Sequence, residues 1–168
     1  MPEIDARDAI QLTIRFLHIL SAIGTGGAIL LQFFALHPVV STLDDTARRA
    51  IAPRVADRWR PLAFTFMTLL LITGLVNFLM FQIPAYREHP AKAVYHGLFG
   101  VKLLLALVLF HSATVLLLPG EKGDRYRAGA GGRLSFMALL LMLIIAIATY
   151  MRYFPQLHPT TVAPLAAG

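Results

Sequence analysis

Four long apolar stretches, separated by short polar segments, set the pattern of this chain. They run over residues 9–36, 59–83, 91–118 and 134–154. Each reaches the ~20 residues that a helix needs to cross a ~30 Å hydrocarbon core. Proline stands at or near the end of every stretch, at Pro38, Pro84, Pro119 and Pro155. Proline just past a helix end is a common stop signal. In hydrocarbon every backbone polar group must be satisfied within the protein, which leaves helices as the reading for spans this long. The pattern predicts an all-α fold, an integral membrane four-helix bundle, with residues 1–168 forming a single transmembrane domain.

Composition agrees. The chain is 57% hydrophobic and 14% charged, where a soluble domain carries roughly a quarter charged residues. It has no cysteine, so disulfides, thiolate metal sites and iron–sulfur clusters are excluded. The net charge of +6 does not indicate nucleic acid, because the cations cluster in segments flanking the apolar spans. The segment from Pro38 to Arg60 carries five arginines (48, 49, 54, 58 and 60), and Lys122, Arg125, Arg127 and Arg133 lie between the third and fourth spans. The opposite side has Arg7, Arg15, Arg87, Lys92 and Arg152, so the bias is nine against five with Lys102 set aside. The positive-inside rule places the two basic segments in the cytoplasm and both termini outside. Glu3, Asp5 and Asp8 stand where a signal peptide needs positive charge, so the first stretch is read as a retained span.

The polar positions inside the spans carry the chemistry. In the first, His18, Ser21, Ala22, Thr25, Ile29 and Gln32 recur at spacings of three and four and share one helix face. Gly24, Gly26 and Gly27 thin the same helix, which admits a close neighbour or a flat ligand. In the second, Thr73 and Asn77 read as interhelical hydrogen-bonding residues in a packed seam. In the third, His96 and His111 are separated by roughly 22 Å along the axis and differ by about 60° around it. Lys102 lies between them, either snorkelling to an interface or held inside to meet a carboxylate.

Ionisable side chains in hydrocarbon are expensive and commonly functional. The first and third spans run parallel in an up-and-down bundle, and His18 and His96 both fall near their starts, within roughly one helical turn of each other in depth. Two imidazoles facing across a bundle can hold the iron of a b-type haem. His37 and His111 give a second candidate level. His89 and His158 read as solvated. The P-loop, HExxH, GxSxG and dinucleotide signatures are all missing from the sequence. The methionines are scattered and read as packing residues.

Three segments carry a family likeness: FLHILSAIGTGGAILLQFFALH, RPLAFTFMTLLLITGLVNFLM and YHGLFGVKLLLALVLFH. Together they resemble the small haem-associated membrane proteins of the HemJ type, the oxygen-independent class of protoporphyrinogen oxidases, and the related membrane domain of copper resistance protein D. The resemblance implies that His18, Lys102 and His111 contact haem or porphyrin. The leading expectation is a bacterial inner-membrane haem b protein, acting in electron transfer or as an oxidoreductase with a membrane redox partner. A copper-handling membrane protein and a cofactor-free assembly subunit are the alternatives.

Overall fold

The computed structural model describes residues 5–159. Four helices are long and apolar enough to cross a membrane: α1 (Ala6–Ser41), α2 (Asp45–Ala85), α3 (Lys92–Leu116) and, after a short helix α4 (Gly120–Ala128), α5 (Ala130–Leu157). The protein is an all-α, multi-pass membrane bundle, and no strand occurs among the described residues. Asp5 starts α1 and Asp44 starts α2, each accepting a backbone N–H three residues on at 2.8 Å. These bonds satisfy amides that the first turn leaves unpaired.

The helices outrun their predicted ends. α1 passes through Pro38 to Ser41, and α2 passes through Pro53, Pro61 and Pro84 to Ala85. At Pro38 and Pro84 the device is the same. A π-helical turn, Gln32–Leu36 in α1 and Phe78–Gln82 in α2, ends two residues before the proline. The wider turn inserts an extra residue and takes up the ring and the missing N–H that would otherwise stop the helix. The arginine-rich segment before the second span is therefore mostly an extension of α2, with only a short turn joining it to α1. α5 likewise carries Pro155 inside its last turns.

α1 pairs along its length with α2, and α3 with α5. Gly24 makes the first pairing close: a Cβ built there would lie 2.4 Å from the Phe66 ring. Ser21, Thr25 and Ile29 are buried, so the small-and-polar stripe of the first span does face inward. The core is unevenly filled. At the basic-segment end, Ile29, Leu109, Leu116, Leu134 and Met137 pack together, and Ala56, Ala63, Met67 and Leu117 form a second cluster. At the other end, Tyr86, Tyr95 and Phe154 pack as an aromatic plug. Between that plug and the packed end the two helix pairs stand apart. Large apolar side chains such as Phe16, Phe34, Leu104 and Leu139 point outward and are more than 60% exposed, which suits a lipid surface rather than water.

Candidate functional site

The space between the helix pairs is a cavity with two lobes. One, near the aromatic plug, has a volume of about 430 Å³ and is lined by Arg15, Asn77, Gln82, Tyr95, Lys102 and Arg152 among others. The other lies deeper, has about 410 Å³, and is lined almost wholly by aliphatic and aromatic side chains. His18, Ile19, Gly74, Phe99, Lys102 and Ala148 line both, so the lobes meet at His18 and Lys102. Ligand sites of bundles typically have this size and this mixture of an apolar wall with few polar groups.

His18 is held on its rear side. Its Nδ1 lies 2.9 Å from Thr73 Oγ1. The Thr73 hydroxyl donates to the backbone oxygen of Leu69, one turn back in α2. A hydroxyl has one proton, and Thr73 has spent it, so its oxygen accepts from His18 Nδ1–H. In the neutral imidazole this puts the proton on Nδ1 and leaves the lone pair on Nε2. Gly74 completes the seat: a Cβ built there would come 3.1 Å from His18 Cε1. Thr73 thus makes the interhelical bond expected of it. Asn77 does not; its Oδ1 is buried without a hydrogen-bond partner among the described residues.

Lys102 lines both lobes and so faces the interior rather than lipid. His96 lines neither lobe. Its ring meets Phe78 edge-on at 5.5 Å, and Phe78 stacks on Phe99 at 3.6 Å, with both phenyl rings on the cavity wall. His96 therefore stands behind that wall, with Nε2 buried and unpartnered among the described residues. His111 is on the outer face of α3, exposed. His37 lies at the far end of α1, against Gly131, on a separate cavity of about 130 Å³. The structure brings His18 and Lys102 together, and leaves His96, His111 and His37 each apart from them. His89 and His158 are structural: His89 Nε2 lies 3.0 Å from the backbone oxygen of His158, and Nδ1 accepts from the Ala91 amide.

Arg15 and Arg152, counted from sequence only as topology charges, line the lobe near the aromatic plug. The signal available was their spacing: Arg15 is one turn before His18 on the same face. At the rim, Tyr95 Oη donates to Gln82 Oε1 at 2.8 Å and stacks on Tyr86 at 3.9 Å. Burial pushes the Tyr86 phenol above its ordinary pKa, which keeps it neutral beside the cavity.

Fold and site together define a multi-pass helical membrane protein with an internal, cation-rimmed cavity facing one fixed imidazole. No protein-family model matches the chain, and no curated protein or solved structure matches it.

Proposed function

We propose that this is a haem b protein of the bacterial inner membrane, HemJ-like, acting in electron transfer or as an oxidoreductase. The observation that carries the reading is the fixed tautomer of His18 on the wall of the two-lobed cavity. A metal-ligating histidine characteristically donates its other ring N–H to an oriented acceptor, which sets the ring angle and raises the basicity of the ligating nitrogen. The chain from Leu69 through Thr73 to His18 does this before any ligand arrives. The residues present fit the group: a free imidazole nitrogen, apolar walls, lobes of suitable volume, and Lys102 beside the histidine to meet a carboxylate.

When bound, haem supplies one-electron redox chemistry; the protein supplies binding, orientation and electrostatics. His18 is the ligand, Thr73 and Gly74 orient it, and Phe78 and Phe99 form one wall. Lys102 provides a positive charge at the seam, which favours a more reduced or more anionic occupant. A His18–His96 pair would need the Phe78 ring to move aside, so the reading supported best uses His18 alone. The basic segments lie in the cytoplasm, with the cavity mouth on the opposite side.

The test is the absorption spectrum of the purified protein reconstituted with ferric haem. The wild type is expected to give a Soret band at one haem per chain. His18→Ala is expected to lose it, and His96→Ala to keep it. A wild-type protein without a Soret band, or a His18→Ala variant with an unchanged one, overturns the assignment.

A further inference from the structure

The two-lobed cavity collects positive charge in an unusual way. Arg15 comes from α1, Lys102 from α3 and Arg152 from α5, and all three line the lobe near the aromatic plug, where no carboxylate lines the wall among the described residues. None of the three forms an ion pair among the described residues. The other cations at that end behave differently. Arg7 lies over the Phe81 ring, 5.8 Å from its centroid. Arg87 sits beside Glu88 at 3.9 Å. Lys92 Nζ donates to the Arg87 backbone oxygen at 3.1 Å. The end as a whole is not short of partners for its cations; the shortage is confined to the cavity.

Arg15 and Arg152 are exposed at the rim and Lys102 is half-buried at the seam, so cations from three helices present positive charge to one cavity, a setting that suits an anionic ligand. The deeper lobe fixes what that anion is attached to, because its lining is apolar apart from His18, Thr25 and Lys102. Two guanidinium forks and an ammonium match carboxylates, the arginines bidentately and the lysine as a point charge. We propose that Arg15, Lys102 and Arg152 form an anion clamp that takes the carboxylates of an apolar-bodied ligand, whose body fills the deeper lobe. The proposal deepens the haem reading and rests on it for choosing a porphyrin as the probe. It also fixes the ligand's orientation: carboxylates toward the chain-end side, ring edge toward the middle of the bundle.

The experiment uses the full chain, free of cofactor, in a neutral maltoside detergent. Metal-free protoporphyrin IX and its dimethyl ester are titrated by fluorescence, so that iron ligation by His18 plays no part. The diacid is expected to bind about tenfold or more tighter than the ester. Arg15→Gln with Arg152→Gln is expected to bring that ratio close to unity. Arg15→Lys with Arg152→Lys, which keeps the charge, is expected to retain most of it. Arg87→Gln, which removes a cation outside the cavity at the same end, is expected to leave it unchanged.

Equal binding of acid and ester by the wild type, or an equal loss in Arg87→Gln, overturns the clamp. Displacement of the diacid by phosphatidylglycerol at matched concentration would make the ligand an anionic lipid and overturn the carboxylate assignment. A parallel titration with cis-parinaric acid and its methyl ester separates the two readings. Acid-selective binding of parinarate with no porphyrin binding leaves the clamp standing and removes haem. Haem binding with no preference for acid over ester does the reverse.

Discussion

At the scale of single residues, the site turns on how Thr73 spends its one proton. Because that proton goes to the Leu69 oxygen, Thr73→Val removes the acceptor that holds His18 Nδ1–H. Loss of such an outer-shell partner costs a metal-binding site about tenfold or more in affinity, so haem retention during dilution should fall in Thr73→Val and be restored in Thr73→Ser. Wild-type retention in the valine variant would show that the hydroxyl does not orient the ligand. Lys102 gives a second expectation. Its side chain faces the cavity, so Lys102→Met should lower the midpoint potential, since a nearby positive charge favours the reduced state. An unchanged potential together with unchanged cofactor content would return Lys102 to the role of a solvated interior cation. Sequence made His18 and Lys102 legible as ionisable groups in apolar spans. It set His96 and His111 beside them, because a period of 3.6 states which residues share a face but not what that face meets: His96 stands behind Phe78 and His111 is exposed. Met67 and Met137 belong to different core clusters, while Met80 and Met142 face outward.

Among the elements, the end of α3 is held by two arginines that the charge count treated only as topology signals. Arg60 Nε donates to the Leu117 oxygen at 2.7 Å, and Arg127 donates to Leu116 and Leu118 oxygens at 3.0 and 2.9 Å. These are carbonyls that a helix end leaves unpaired, and a cation there also meets the negative end of the helix dipole. α4 presses on the same turn so closely that a Cβ at Gly123 would lie 1.8 Å from the Leu118 oxygen. Arg127→Met should therefore cost on the order of 2–3 kcal/mol, read as a fall in melting temperature in detergent, while Arg125→Met on the exposed side of α4 should cost almost nothing. Equal melting temperatures for the two variants would remove the capping role. Gly123→Ala should destabilise as well, because backbone must move to admit the methyl group. The apolar spans were legible from composition alone. The extensions past Pro38 and Pro84 were not, because a proline reads as a stop unless a π-turn upstream absorbs it, and π-turns have no residue signature.

For the whole molecule, four spans are expected to leave both chain ends on one side of the membrane, outside the cytoplasm by the positive-inside rule. A reporter active only in the cytoplasm, fused to the C-terminus, should be silent, whereas the same reporter inserted at Lys122 in α4 should be active; the opposite pattern would invert the topology and with it the side on which the cavity mouth opens. By itself the sequence determined the class of the protein: four helices, a bilayer as solvent, an inward polar stripe on α1, and a few ionisable residues with reason to be inside. Hydrophobic length and periodicity are local quantities, and a bilayer reads them locally. The pairing of α1 with α2 and of α3 with α5, and the packing of the bundle at one end and its opening toward the other, arise from contacts across space. That pairing put His18 on the cavity wall and His96 behind Phe78, set Thr73 against His18, and placed Arg15 and Arg152 at the rim of a cavity. These depend on which faces meet across space, and the span pattern, which repeats in all four helices, is the same for many pairings.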